Sequence, residues 1–435
     1  MGEDTEAPAL AALGSAIERG DWALALVELF ALATSARLRD WEIANRGIPA
    51  VRIEQVMAEL ERLPDVPPQP GIALLQALDR LAKRERLAIR QPPKPISTHA
   101  GTAYWLIASG SEEPRPCSLA RQSANLAHWL VHHTVVPERV GAVRVVVRAA
   151  QGSLGQRLSK LAAEPSAQMP IWIGHFDDNA KVQWDEARRR DGHFVAEEIQ
   201  PTATRGASLR ATLDAAWVAS ALVLVLPELG ITVEQRRHLT RRLAVEPGGA
   251  PLLCVAGSFH EHINGKVFNC APLIDGTTGE TLFSHRKLRP YGNSEGANTP
   301  ESSEAIHLGD TVHLLISDAG SFTVLICKDH IDSHPDVATL MQTVAPHWLL
   351  VPSYGGNKTL DAHLDRARRL CEIEVGCHVV VANIRNLGLE DGPVLPGFGH
   401  AAGCHDPMRI ESSGGLVRFD IPGKPPGRPA LKRIR

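Results

Sequence analysis

Ser321-Phe322-Thr323-Val324-Leu325-Ile326-Cys327-Lys328-Asp329-His330 is an apolar run that ends on a cysteine and turns polar at once. A strand followed directly by a loop can hold a thiol on a rigid element with its sulfur facing a cleft. A cysteine inside a buried strand can equally be an ordinary small hydrophobe. The choice depends on what the rest of the chain brings to its strand ends.

Around this run, from residue 190 onward, short apolar runs alternate with amphipathic stretches. The pattern predicts strands at 193–199, 222–226, 252–256, 267–274, 281–287, 312–317, 322–327, 348–351 and 378–383, and helices at 209–220, 234–243, 335–344 and 360–375. Asp275-Gly276-Thr277-Thr278-Gly279 has the turn chemistry of a hairpin. Layered sheets covered by helices are the expected architecture. Two more strand ends carry reactive groups. Leu226-Pro227-Glu228 places a carboxylate after an apolar run, and His285-Arg286-Lys287-Leu288-Arg289-Pro290 places an ammonium at the close of a hairpin strand. A thiol, a carboxylate and an ammonium together supply a nucleophile, a base and an oxyanion partner for covalent acyl chemistry.

In their order along the chain these motifs resemble the nitrilase (carbon-nitrogen hydrolase) superfamily over residues 190–420. The matching pieces are Leu-Pro-Glu228, Arg-Lys287 after an Ile-Asp-Gly hairpin, Leu-Ile-Cys327-x-Asp329, Val-Pro-Ser353, and Glu374-x-Gly376 leading to Val-Val-Val-Ala-Asn383. The resemblance implies an α/β fold, with a nitrilase-like α-β-β-α sandwich over 191–435. It implies hydrolysis of amide or carbamoyl-type small molecules through a cysteine thioester, without metal or cofactor. Glu228 would be the general base, Cys327 the nucleophile and Lys287 the oxyanion partner, joined by the backbone N–H of Lys328. A second glutamate is expected between the lysine and the cysteine. Lys287 to Gly296 is similar to the aliphatic-amidase form of that stretch, which favours Glu295, with Glu301 and Glu304 as alternatives. Tyr291, Asp329, Ser353 and Tyr354 are the expected substrate contacts, and a homo-oligomer is implied.

The chain also departs from the family. Lys328-Asp329-His330 after the cysteine is closer to the amidase and carbamoylase branches than to the Cys-Trp-Glu of nitrilases, which disfavours a nitrile substrate. Leu370-Cys371-Glu372 and the stretch from Gly399 to Pro407 differ from the family pattern as well. Two other functions compete with the hydrolase: a scaffold or ligand sensor whose residues 1–190 bind a protein partner, and a glutaminase that supplies ammonia.

Upstream, Leu10, Leu13 and Ile17, then Leu26, Leu29 and Phe30, recur at helical spacing, with Asp21 as a candidate cap. Further helices carry Ile53 to Leu63 and Leu74 to Leu81, so 1–90 reads as a helical domain. Pro92-Pro93-Lys94-Pro95 makes 91–95 a stiff linker. Residues 96–190 read as a small α/β unit, with strands at 103–108 and 142–149 and a helix over 118–132. The loop Gln151-Gly152-Ser153-Leu154-Gly155 reads as a plain turn, the His132-His133 doublet as a polar helix end. His260-Glu261-His262 and Cys404-His405 lack a full metal-ligand spacing and read as strand-edge or loop residues.

Composition narrows the class. Of 435 residues, 44% are apolar and 22% charged, with a formal net charge of −3, so broad electrostatic binding to nucleic acid or anionic membrane is disfavoured. No apolar segment has the length of a membrane span, and the acidic start is unlike a secretory signal, which leads us to expect a cytoplasmic protein. Seven cysteines without a Cys-x-x-Cys pair point to free thiols.

Overall fold

A computed structural model describes residues 6–35, 50–62, 71–84, 93–108, 129–164, 168–176, 178–245, 251–292, 303–331, 335–355, 357–374, 377–383, 399–402, 408–410 and 414–420. Two large sheets stack face to face. One runs Met408–Ile410, Gly399–Ala402, His378–Asn383, Trp348–Ser353, Gly320–Val324, Thr311–Ser317, Val143–Ala149, Arg139–Val140. The other runs Phe259–Ile263, Lys266–Asp275, Leu253–Val255, Val223–Val225, Gln168–Gly174, Gly414–Asp420, with Thr281–Arg286 also paired to Lys266–Asp275.

The central pairings are parallel, so these strands are covered on both faces and read as unbroken apolar runs. Side chains nevertheless divide with the strand period of two. Val223, Val225, Leu253, Val255, Trp348, Leu350 and Val380 fill the space between the sheets. Leu224, Leu226 and Cys254 meet Leu209, Leu213, Leu239 and Leu243 from the helices Thr202–Val218 and Val233–Val245. On the opposite outer face Leu349, Val351, Val379 and Val381 meet Leu340, Met341 and Ala367 from Pro335–Val344 and Asn357–Arg368. Each such buried aliphatic side chain contributes about 1.5–3 kcal/mol. The result is the expected α-β-β-α sandwich. Its hairpin turn forms as predicted: Asp275 Oδ1 accepts from Thr277 N and Oγ1, both at 2.7 Å, and Gly279 takes a φ of 74°.

The expected division at residue 190 runs through both sheets. Val143–Ala149 pairs in parallel with Thr311–Ser317, and Gln168–Gly174 lies between Val223–Val225 and Gly414–Asp420. A short apolar run states its preference for a sheet but not its partner, and here the partners are distant in the chain. The alternation predicted at 142–149 holds, with Val145 and Val147 in the outer core.

Ahead of the sandwich, the helices Glu6–Glu18, Trp22–Ser35, Ala50–Arg62 and Ile72–Arg84 form a bundle. Asp21 caps the second, its Oδ1 accepting from Leu24 N at 3.1 Å. A three-stranded sheet, Pro95–Ser97, Ala103–Ala108 and His133–Pro137, joins bundle to sandwich. Tyr104, Leu106 and Val135 pack on the bundle; Trp105, Ile107 and Val136 pack on the sandwich. The histidine doublet is not a polar end. His133 is buried with Nδ1 2.9 Å from Asp79 Oδ1, while Asp79 Oδ2 accepts from Val131 N and His132 N. Most of the helix expected over 118–132 lies outside the described residues. Among the described residues, no helix is long and apolar enough to cross a membrane.

Candidate active site

Glu228, Lys287 and Cys327 converge from the ends of three strands. Glu228 follows Val223–Val225, and its N–H donates to Ser353 O at 3.2 Å, which links one sheet to the other. Lys287 follows Thr281–Arg286, its N–H bonded to Asn269 O at 2.9 Å. Lys287 Nζ donates to Glu228 Oε1 at 2.8 Å. The Cys327 thiol lies within electrostatic reach of both the Glu228 carboxyl and the Lys287 ammonium.

A second carboxylate completes the cluster, and it is Glu304. Glu304 Oε2 accepts from Lys287 Nζ and from Tyr291 N, both at 2.8 Å. Oε1 accepts from Asn269 Nδ2 at 2.8 Å and lies 3.0 Å from His260 Nε2. His260 Nδ1 accepts from Ala196 N at 2.7 Å, so Nε2 carries the proton and donates to Glu304. Glu295 and Glu301 lie outside the described residues.

These partners push the two glutamates apart. Glu304 is buried, which works against its charge, but Lys287 and His260 outweigh that and hold it well below the usual carboxylate range. Glu228 is raised, first by burial and then by the charge of Glu304, with Lys287 only partly offsetting them. Its two N–H donors, Lys287 Nζ and Asn269 Nδ2, converge on a single oxygen, whereas Glu304 receives four on two. Burial alone would lower Lys287, yet the two carboxylates keep it well above its ordinary value, so it is an ammonium. The Cys327 thiol is pushed up to about 12 by burial and by Glu228, against the pull of Lys287. The cluster therefore pairs one firmly ionised carboxylate with a more basic one beside a protonated thiol, the arrangement that separates a positioning group from a proton acceptor.

Cys327 sits where the strand Gly320–Val324 turns into the short helix Lys328–Ile331, with a φ of 39°. A non-glycine residue in the left-handed region is strained, and such turns expose a nucleophile at a sheet edge. The turn is braced: Cys327 N donates to Pro352 O at 2.8 Å, and His330 N donates to Cys327 O at 2.9 Å. The Lys328 N–H opens the short helix Lys328–Ile331, a position where helix geometry supplies no acceptor within the helix.

The expected substrate contacts have different roles here. Asp329 is fully buried and all its capacity is taken: Oδ1 accepts from Leu288 N and Arg289 N, and Oδ2 accepts from Ile326 N and lies 2.9 Å from His285 Nε2. It therefore clamps the cysteine turn to the chain beside Lys287 and has no atom left for a ligand. Ser353 is also buried, with Oγ 3.4 Å from Cys327 Sγ and 2.9 Å from His363 Nε2. Tyr354 offers its carbonyl to Sγ at 3.9 Å, and its ring packs edge-on against Trp184. Tyr291 is 45% exposed and tilts against Phe194, which makes these aromatics a rim.

Comparison with solved structures finds partial likenesses. A glutamine-dependent NAD+ synthetase from Acinetobacter baumannii, bound to ADP, matches at a TM-score of 0.44 and 13% identity over 61% of this chain, which spans 49% of the synthetase. An amidase from Nesterenkonia sp. matches at 0.39 and 20% identity, covering 59% of this chain and 91% of its own. A variant of the Nesterenkonia sp. AN1 amidase with acrylamide added to its active-site cysteine matches equally, over 59% and 94%. No family model and no curated relative matches the chain.

Three contributors escaped the sequence reading. His260, read as a strand-edge residue, is buried against Glu304. Asn269 bridges both glutamates, and its signal was available: it is the one amide inside the apolar run Val267 to Leu273. His363 lies on an amphipathic helix, where nothing in the spacing distinguishes it. Among the described residues, no cluster of three or more His, Cys, Asp or Glu side chains could hold a metal ion.

Proposed function

We propose that the protein hydrolyses a non-peptide carbon-nitrogen bond in a small amide or carbamoyl compound through a thioester on Cys327. The observation that carries this reading is a buried ammonium held at 2.8 Å from each of two carboxylates of opposite tendency, beside a buried thiol that feels the charge of both Glu228 and Lys287. Because the thiol is protonated at rest, attack requires a base, and Glu228 takes the proton as sulfur adds to the carbonyl carbon. Lys287 uses two of its three N–H bonds on the carboxylates; the third, with the Lys328 N–H, stabilises the oxyanion. Collapse expels ammonia or an amine, which takes the proton from Glu228. Water then adds to the thioester as Glu228 accepts its proton, and the acid and thiol are released. Glu304, ionised throughout, is the second glutamate and holds Lys287 in place.

We assign residues 139–420 to the hydrolase unit, because both large sheets draw on strands from Arg139–Val140 onward. Ammonia release from a panel of aliphatic amides and N-carbamoyl amino acids tests the proposal, with the acyl-enzyme sought by mass spectrometry. Cys327→Ala is expected to abolish both. No turnover across the panel, together with no selective alkylation of Cys327, would refute it.

A further inference from the structure

Beside the cysteine lies a chain of buried polar side chains that the mechanism above does not use. Ser353 ends the strand Trp348–Ser353, His363 lies on the helix Asn357–Arg368, and His330 lies on the short helix that follows the cysteine. The contacts run in series: Cys327 Sγ to Ser353 Oγ at 3.4 Å, Ser353 Oγ to His363 Nε2 at 2.9 Å, His363 Nδ1 to His330 Nδ1 at 2.7 Å. The two imidazoles are nearly parallel, with centroids 5.0 Å apart and planes within 9°, so they meet edge to edge through the Nδ1 atoms. Ser353 and His363 are 0% exposed and His330 is 1% exposed, so bulk water does not replace these bonds.

The protons can be assigned in sequence. The thiol donates to Tyr354 O at 3.9 Å, which leaves a sulfur lone pair facing Ser353. Ser353 therefore donates its only O–H to sulfur and must accept from His363. That puts the His363 proton on Nε2 and a lone pair on Nδ1. Two Nδ1 atoms at 2.7 Å share one proton, so His330 Nδ1 donates. This leaves His330 Nε2 bare; among the described residues it has no hydrogen-bond partner. Burial, the neighbouring His363 and the charge of Arg366 all disfavour a second proton on His330. Every O–H and N–H in the series then points toward sulfur, and bonds aligned in this way polarise one another.

We infer that His330, His363 and Ser353 form a one-directional donor relay that stabilises negative charge on Cys327 Sγ. Ser353 touches the reacting atom; the histidines are positioning residues that act through it. The inference rests on Cys327 being the nucleophile of the proposed hydrolysis. The relay matters most when the carbon-sulfur bond of the thioester breaks: the electron pair returns to sulfur, where Ser353 already donates, before Glu228 returns the proton.

The test is the rate of iodoacetamide alkylation of Cys327 in the full chain across neutral and alkaline pH, with thermal unfolding as a check on folding. Ser353→Ala is expected to slow alkylation roughly tenfold at a given pH, the size expected for losing one hydrogen bond to a charged atom. His363→Leu is expected to slow it several-fold. His363→Gln, whose amide can still donate to Ser353, is expected to stay within about twofold of the unaltered protein. Unchanged alkylation in Ser353→Ala overturns the relay, as does equal slowing in the Leu and Gln variants. Alkylation reports on sulfur whether or not a substrate is found. A failed amide panel thus counts against the hydrolase alone, and Ser353→Ala alkylating normally beside an active enzyme counts against the relay alone.

Discussion

Glu304→Gln changes one atom type at the centre of the cluster. All four partners of Glu304 are donors: Lys287 Nζ and Tyr291 N on Oε2, Asn269 Nδ2 and His260 Nε2 on Oε1. A carboxamide has one accepting oxygen. Whichever way it is turned, its NH2 faces two donors, and His260 cannot switch tautomer because its Nδ1 accepts from Ala196 N. Two bonds to a charged group are lost, at about 1.5–3 kcal/mol each, so the variant is expected to lose about 3–6 kcal/mol. Breaking a buried ion pair from one side costs a similar amount, about 3–5 kcal/mol. Activity should suffer separately. With Glu304 neutral, Lys287 is no longer centred, and losing one oxyanion donor lowers turnover about 100- to 1,000-fold. Urea unfolding measures the first effect, and ammonia release from the best amide of the panel measures the second. If Glu304→Gln unfolds at the original urea midpoint and turns over normally while Glu295→Gln is inactive, the assignment of the second glutamate is refuted.

Further predictions concern strain, pH and the N-terminal bundle. Because Cys327 has a φ of 39°, Cys327→Gly is expected to be more stable than Cys327→Ala by about 1 kcal/mol, both lacking turnover, since an L side chain is strained in that region; an equal or lower urea midpoint for the glycine variant contradicts this. His313, stacked on Phe283, is pushed down to about 4 by burial and by His285, Arg148 and Arg144. The unfolded chain therefore binds its proton first as pH falls, so the stability contributed by His313 is complete above about 6.5 and is lost toward pH 4. His313→Gln should flatten the stability profile in that window, measured by urea midpoints at stepped pH. Asp79→Ala removes the acceptor of Val131 N, His132 N and His133 Nδ1. It should cost about 3 kcal/mol and speed amide hydrogen exchange in His133–Pro137 while leaving Trp348–Ser353 protected; unchanged exchange in His133–Pro137 would show that the bundle is anchored elsewhere.

Much of the sandwich was legible because a fully covered strand must be apolar on both faces. Runs such as Leu222 to Leu226 and Trp348 to Val351 state that condition locally. Pairing was less legible. Val143–Ala149 belongs beside Thr311–Ser317, and no local property of either strand names the other. The same limit explains His133, whose polarity predicts an exposed site until Asp79 arrives from the bundle.

The sequence by itself determined three reactive strand ends, Glu228, Lys287 and Cys327, since each closes a strand whose rigidity the chemistry needs. It favoured Glu295 over Glu301 and Glu304 as the second glutamate on resemblance alone, because a loop carboxylate carries no local sign of what it will meet. Only the tertiary structure brought Glu304 to Lys287, turned Asp329 from a substrate contact into a clamp, and set His363 behind Ser353. In each case the deciding quantity is a distance between side chains of different elements, fixed by tertiary packing and not by any local pattern.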